Sequence, residues 1–193
     1  VFSPIFGFFL AYAVMLLIYW TLRSMAPTMI TTIFSKAQIF TAGWMAFSHG
    51  SNDAQKTMGI ITLALFTHGT IDVLEVPLWV IVLSGTVMAA GTYFGGFRVI
   101  RTLGVRIVKM RPIHGFAAEG AAAGVITVAS RMGIPISTTH TITSAILGMG
   151  STRRLSAVRW GVARSIVYAW VLTFPICAFL GAMLYYLADL VVA

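Results

Sequence analysis

The sequence predicts an all-α integral membrane protein with four membrane-spanning helices, one of them broken, and a re-entrant helical hairpin. The 193 residues are 59% hydrophobic and 9% charged, with a mean hydropathy of +0.92, whereas soluble domains are about 45–50% apolar and about 25% charged. Apolar runs long enough to cross a bilayer recur along the chain. Two polar strings interrupt this pattern at a depth that lipid-facing backbone does not tolerate.

Three apolar runs are uncomplicated spans with aromatic residues near at least one end, as expected of interfacial anchors. They are residues 3–22, 76–97 and 165–190. The chain starts with Val1 rather than Met, and Arg23 follows the first run instead of preceding it, which is the reverse of a secretory signal peptide. We therefore expect a fragment or processed chain that begins with a membrane helix.

A fourth span, residues 37–66, contains the polar string from Ser48 to Asp53. Such a string must face protein or water rather than lipid. The sequence therefore predicts a helix that breaks at this string and restarts, with Asn52 and Asp53 at the new helix N-terminus.

Residues 115–150 form two short apolar halves, about 115–129 and 137–150, separated by Gly133 and Pro135. Pro135 disfavours helix at the residue before it, and Gly133 permits a tight turn. Because neither half is comfortably long enough to span a bilayer, the sequence predicts a re-entrant helical hairpin with its tip at depth.

The segment before this hairpin, residues 98–111, is rich in basic side chains. An apolar stripe beside them is typical of an interfacial helix, and a cytoplasmic connector is the alternative. The stripe is formed by Val99, Leu103, Ile107 and Met110.

The basic residues also predict the orientation in the membrane, since loops rich in Lys and Arg stay in the cytoplasm. One group contains Arg23 and Lys36, a second lies within residues 98–111, and a third lies within residues 153–164. Counting crossings places all three groups inside, and a double crossing in place of the hairpin would give the same result. The net charge of +8 is therefore mainly a topology signal, and no nucleic-acid partner is expected.

Two Gly pairs have the small-xxx-small spacing that allows close helix packing in membranes. They are Gly91 with Gly95 and Gly120 with Gly124. We expect tight helix contacts at both.

The polar strings have chemistry suited to anion binding. Helix N-termini offer free amide donors and partial positive charge, and broken membrane helices use them at substrate sites. The hydroxyls of Ser137, Thr138 and Thr139 add donors that suit a tetrahedral oxyanion. The alternative is that Ser137 caps its helix and the threonines bond back to carbonyls.

Asp53 and Glu119 are acids within predicted membrane segments. A carboxylate at depth must pair, bind a cation or carry a proton, which is the chemistry of a coupled transporter. Lys56 lies three residues after Asp53 on the same helical face, so an ion pair is the alternative there. Glu119 has only Ala and Gly around it, so its partner must lie on another element.

Other polar residues beside the strings have accessory roles at most. Ser51, Lys56, His49 and His140 are the candidates. The single Cys177 excludes a disulfide framework or a Cys-based metal site, and no histidine spacing suits a transition metal. No cofactor is expected, and the metal considered is sodium at Asp53, Asn52 and Glu119.

The strings from Ser48 to Gly59 and from Gly133 to His140 resemble the second-half signature of the inorganic phosphate transporter (Pit) family. The resemblance extends to the order of segments over essentially the whole chain, with Glu119 as the essential buried acid. It implies an inverted-repeat, all-helical transporter of the plasma (inner) membrane, driven by sodium or protons. It also implies that phosphate is held between the broken helix and the hairpin of both repeats.

Carried over by position, the resemblance assigns phosphate binding and ion coupling to separate residues. Phosphate binding is implied for Asn52, Ser137, Thr138 and Thr139, and coupling to the ion or proton for Asp53 and Glu119. The family pattern Gly-Ala-Asn-Asp-Val-Ala-Asn-Ala has different last three residues here, Gln55-Lys56-Thr57. This form resembles the second repeat of bacterial members and leaves sodium and proton coupling both open.

The pattern occurs once, whereas the family carries it in each half. The chain is therefore expected to be the C-terminal half, with the missing N-terminal repeat or a second copy as partner in the lipid bilayer, and with a homodimer of the full transporter as a further option. On this expectation the chain alone does not transport.

Other functions fit part of the pattern. A sulfate or other oxyanion permease is the nearest rival, although an acceptor carboxylate at the site favours phosphate, which can still donate a hydrogen. A passive channel would lack gradient dependence. An intramembrane serine hydrolase would need Ser48 or Ser137 with a histidine and Asp53, but the strained nucleophile context is missing, so no enzyme is expected.

Overall fold

The computed structural model describes residues 2–192, apart from the side chains of residues 98, 105, 106 and 188–192. This part of the chain is helical and contains no strand, so the all-α prediction is confirmed. The helices are α1 (Phe2–Thr21), α2 (Pro27–Thr67), α3 (Leu78–Arg101), α4 (Pro112–Arg131), α5 (Thr138–Ser151) and α6 (Trp160–Val192). The chain forms two compact units, one ending at Val158 and one starting at Arg159, and α6 makes up most of the second.

Four helical segments in the described residues are long and apolar enough to cross a membrane. They are Phe2–Thr21, Leu78–Phe97, Pro112–Arg131 and Trp160–Leu187. They include the three uncomplicated spans that the sequence predicts, whereas the fourth is α4, which was predicted as half of the hairpin, and not residues 37–66. The first hairpin half is longer than the predicted 115–129, because the helix begins at Pro112, where a missing amide hydrogen costs nothing, and continues to Arg131.

The prediction of a broken helix at residues 48–53 is wrong. α2 is one continuous α-helix of 41 residues, so Asn52 and Asp53 lie in its interior and not at a helix N-terminus. Its single proline, Pro27, occupies the first turn, where proline is tolerated. The polar string needs no break because side chains on α4 and α5 supply its hydrogen-bond partners.

Residues 98–111 do not form one continuous helix, so the interfacial-helix alternative is not met over its whole length, and the connector alternative stays a prediction. α3 continues to Arg101, a π-helical turn covers Thr102–Arg106, and residues 107–111 are not helical. Ile107, expected on the lipid-facing stripe, is fully buried. Burial of this apolar side chain in the first unit explains why the segment leaves the helical path there.

The core of the first unit is formed by α4 and α5. α1 packs mainly on α5, α2 packs mainly on α4, and α4 and α5 also contact each other. The buried face of α4 consists mainly of small residues, and its alanines are Ala117, Ala118, Ala121, Ala122, Ala123 and Ala129. Small side chains let membrane helices approach closely, where van der Waals packing replaces the hydrophobic effect.

The closest helix approach occurs between α1 and α5, at glycines that the sequence analysis did not single out. A Cβ on Gly7 would lie 2.6 Å from the carbonyl oxygen of Thr141, and a Cβ on Gly148 would overlap the carbonyl of Phe8. By contrast, nothing lies within 4 Å of a Cβ built on Gly91 or Gly95. The expectation of tight packing at that pair is therefore not met in the described residues.

We predict that Gly148→Ala lowers the stability of the folded chain by about 1–3 kcal/mol, because the added methyl collides with a main-chain carbonyl that cannot move alone. Gly43→Ala is the matched control, since nothing lies within 4 Å of its Cβ and alanine is the better helix former. Thermal unfolding of both variants in detergent is the measurement. Equal melting temperatures would contradict the close α1–α5 contact.

Candidate functional site

The turn between α4 and α5 has the geometry of a helix C-terminus followed by a tight reversal. The amide of Ile134 donates to the Ala129 carbonyl at 2.9 Å, and Gly133 has a φ of 67°, which glycine adopts without strain. Pro135 then prevents the helix from continuing. This turn presents the start of α5 to the side of α2.

Asp53 of α2 is the centre of the contacts between α2 and this turn. Thr138 Oγ1 donates to Asp53 Oδ2 at 2.9 Å, and His49 Nδ1 lies 3.4 Å from the same oxygen. Lys56 Nζ donates to Oδ1 at 2.9 Å and to the Ile136 carbonyl at 2.6 Å. The ion pair considered from the sequence therefore forms, and Lys56 also holds the turn against α2.

We call Asp53, Thr138, Lys56 and His49 the Asp53 cluster. The Asp53 side chain is 27% exposed and that of Lys56 is 40% exposed, so the cluster lies at the edge of the first unit rather than in its core. A carboxylate accepts about four hydrogen bonds, and Lys56, Thr138 and His49 account for three contacts. Room for one further donor remains at Asp53.

Ser137 acts as the helix cap that the sequence analysis kept as an alternative. Its Oγ accepts from the amide of His140 at 3.3 Å, and Thr141 Oγ1 donates to its carbonyl at 2.8 Å. Ser51, a suggested accessory residue, donates to the Phe47 carbonyl of its own helix at 2.8 Å. The structure therefore gives these two serine hydroxyls local structural partners.

A row of polar contacts joins α2 to α4. Ser48 and Thr127 hydroxyls are 3.0 Å apart, and Asn52 Nδ2 donates to Ser130 Oγ at 2.7 Å. Residue numbers rise together on both helices along this row, so α2 and α4 run parallel. The row ends beside the Asp53 cluster and places Asn52 there, only 5% exposed.

Glu119 lies at the other end of this row. Thr41 Oγ1 donates to Glu119 Oε2 at 3.1 Å. The sequence analysis expected a partner for Glu119 on another helix, and Thr41 of α2 is such a partner. Glu119 and Asp53 are therefore positioned by the same helix pair, but they do not share a hydrogen-bonded cluster.

A cavity of about 520 Å³ lies between α2, α3, α4 and α5, and it brings together three of the predicted site residues, His49, Thr139 and Glu119. One wall is formed by α3, and Gly91 and Gly95 are part of it, which accounts for the absence of close packing at that pair. Thr139 thus faces a different space from Thr138, its neighbour in the Asp53 cluster.

Cation ligands in this region are oxygen atoms. Among the described residues no group of three or more His, Cys, Asp or Glu side chains is placed to hold a metal ion. However, the Asn52 side-chain oxygen is buried without a hydrogen-bond partner in that part of the chain, which is uncommon for a buried acceptor. A neutral oxygen of this kind is a ligand type that hard cations accept, but Asn52 and Asp53, as consecutive residues of α2, lie on different sides of that helix.

The residues that sequence reasoning missed are the partners on α2 and α4, namely Thr41, Thr127 and Ser130. A signal was present in the spacing of Thr41, Ser48 and Asn52, which are seven and four residues apart. Residues at such spacings share one helical stripe. The spacing could therefore have predicted a continuous helix with one polar face, as an alternative to a broken helix.

The comparisons with known proteins agree with this architecture. Residues 21–181 match the phosphate transporter family. The chain is 45% identical over 192 residues to a probable low-affinity inorganic phosphate transporter of Rhizobium meliloti, covering 99% of this chain and 58% of that protein. It is 40% identical over 195 residues to the Bacillus subtilis protein of the same description, covering 98% and 57%.

A solved structure described as the sodium-dependent phosphate transporter is also similar, with a TM-score of 0.68 and 25% identity. The likeness covers 90% of this chain and 53% of that one. The chain thus spans about half the length of the proteins that it matches. It is a multi-pass integral membrane protein, and it belongs to the phosphate transporter family, a family of transporters rather than enzymes.

Proposed function

We propose that the chain is one half of a cation-coupled phosphate symporter of the plasma (inner) membrane. The observation that carries this proposal is the hydrogen bond between Thr138 and Asp53, which joins the α4–α5 turn to the middle of α2. A carboxylate that accepts from a hydroxyl at the N-terminal turn of a helix is placed to respond both to an anion at that turn and to a cation at its own oxygens. Membership of the phosphate transporter family supports phosphate as the anion.

The division of roles follows the contacts of each residue. Thr138 and Thr139 lie in the N-terminal turn of α5, where amide donors and the helix dipole favour an anion. The Thr139 hydroxyl lines the cavity of about 520 Å³, whereas the Thr138 hydroxyl donates to Asp53 and links the turn to the coupling carboxylate. Ser137 contributes by capping that turn, and Asn52 lies beside it. Asp53 and Glu119 supply the negative charges that a coupling cation or proton needs.

Sodium is the coupling ion that we favour over the proton. The unpartnered Asn52 oxygen is a neutral ligand of the type that a hard cation accepts. The similar solved structure is described as sodium-dependent, which supports the same choice.

We propose further that α4 and α5 form a re-entrant hairpin. Thr138 at the hairpin tip contacts Asp53, and α2 continues from there to Thr67, roughly 20 Å further at the usual rise per residue. The hairpin therefore stops well short of the far end of α2. A second, inverted repeat, from an N-terminal half or from another copy of the chain, would complete the anion site.

We predict that Asp53→Asn lowers phosphate uptake to less than about a tenth of wild type, since the loss of a charged hydrogen-bond partner costs roughly 1.5–3 kcal/mol. Uptake of labelled phosphate is measured in cells expressing the transporter that contains this chain, under imposed sodium or proton gradients and with excess sulfate. We expect dependence on the sodium gradient and no competition by sulfate.

The double variant Asp53→Asn, Lys56→Gln distinguishes coupling from structural support. It removes both members of the ion pair and leaves no unpaired lysine. If Asp53 takes part in coupling, the double variant remains inactive at normal membrane abundance. Recovery of wild-type uptake in the double variant would show that Asp53 serves only to neutralise Lys56.

A re-entrant hairpin can be tested by comparing how fast single introduced cysteines are labelled, in a transporter whose Cys177 is replaced by Ala. Met132→Cys at the exposed turn should react slowly with a membrane-impermeant maleimide added from outside, because the tip lies within the membrane. His68→Cys, in the exposed loop after α2, is the control and should react rapidly. Equal rates from outside would establish a full double crossing.

A further inference from the structure

A second cavity lies at the opposite end of the helices from the Asp53 cluster. Its volume is about 310 Å³, and three arginines from separate chain segments line it: Arg23 after α1, Arg111 before α4 and Arg153 after α5. None of the residues of the Asp53 cluster lines it. Measured along α2 from Pro27 to Asp53, the two regions are roughly 40 Å apart.

The positive charge in this cavity is not balanced by carboxylates. The ion pairs within the described residues all involve Asp53, so Arg23, Arg111 and Arg153 have no acidic partner there. α2 and α4 both begin at this cavity, with Pro27 and Pro112 among its lining residues, and helix N-termini add partial positive charge. The electrostatics therefore call for an anionic ligand.

A buried histidine contacts a tyrosine hydroxyl in the lining of this cavity. The Arg111 amide donates to His114 Nδ1 at 3.1 Å, and His114 Nε2 lies 3.4 Å from the Tyr19 hydroxyl oxygen. In the neutral tautomer with its hydrogen on Nε2, the Tyr19 oxygen accepts that hydrogen and the Tyr19 hydroxyl hydrogen can donate to a ligand. His114 itself is only 3% exposed.

The remaining lining is apolar, which favours an amphiphilic ligand over a small soluble ion. It consists mainly of Ile18, Leu22, Met25, Ile30 and Ile113. The arginines belong to the basic groups that the sequence places on the cytoplasmic side, where the membrane surface is rich in anionic lipid. Basic pockets between membrane helices on that side suit lipid head groups, and arginine suits phosphate in particular.

We propose that this cavity binds the phosphate head group of an anionic lipid, with Arg23, Arg111, Arg153 and Tyr19 as the donors. The acyl chains would lie along the apolar side of the cavity. Inorganic phosphate has the same charged group as the lipid head and is the alternative ligand, but it would not contact the apolar lining.

The test is native mass spectrometry of the purified transporter that contains this chain, titrated with phosphatidylglycerol or phosphatidylcholine. We expect saturable binding of phosphatidylglycerol and much weaker binding of phosphatidylcholine. Arg111→Ala and Arg153→Ala should each weaken phosphatidylglycerol binding by about 10-fold or more, the effect expected for a charged hydrogen bond. Tyr19→Phe, which removes one hydroxyl, should weaken it by a smaller factor.

Arg154→Ala is the matched control, because Arg154 is adjacent, exposed and of equal charge but does not line the cavity. Equal losses for Arg153→Ala and Arg154→Ala would overturn the proposal in favour of general surface charge. If an alanine variant does not fold, Arg153→Lys keeps the charge without the planar fork and should give an intermediate loss. Displacement of the lipid by micromolar inorganic phosphate would overturn the lipid assignment.

Discussion

The contact of Asp53 with the α4–α5 turn is the interaction that positions the candidate site in the first unit. Thr138 and Lys56 both reach Asp53, and Lys56 also reaches the turn carbonyl of Ile136. Without these contacts the turn would expose carbonyls and an isolated lysine in surroundings that hydrate them poorly. One carboxylate thus fixes the depth of the turn relative to α2 and places the N-terminal end of α5 beside it.

The same requirement to satisfy polar groups explains why α2 runs unbroken. Every side chain of its polar stripe faces α4 or the turn, as Thr41 does with Glu119 and Asn52 does with Ser130. The alanine-rich face of α4 brings the two helices close enough for these short polar side chains to meet. Packing and hydrogen bonding therefore act together. Among the described residues, buried polar atoms of Asn52, Thr62, Ser84 and Thr143 have no hydrogen-bond partner, and that of Asn52 is the one beside the candidate site.

The sequence predicts α1, α3 and α6 well because their apolar runs are set by local composition. It also predicts the Asp53–Lys56 pair, which is three residues apart. The continuity of α2 was missed because the hydrogen-bond partners of its polar residues, Thr127, Ser130 and Thr138, lie far away in the chain. A local sequence pattern does not reveal such partners. The existence of a partner for Glu119 followed from burial cost, whereas its identity as Thr41 required the fold.

We infer that the Asp53–Thr138 hydrogen bond is energetically coupled to anion binding. A double-mutant cycle with Asp53→Asn and Thr138→Val measures this coupling, by calorimetric titration of phosphate into the purified transporter in sodium buffer. We expect a coupling free energy of about 1 kcal/mol or more, as found for residues in direct contact. Effects that add to within about 0.3–0.5 kcal/mol would mean that the two residues act independently and would rule out the coupling.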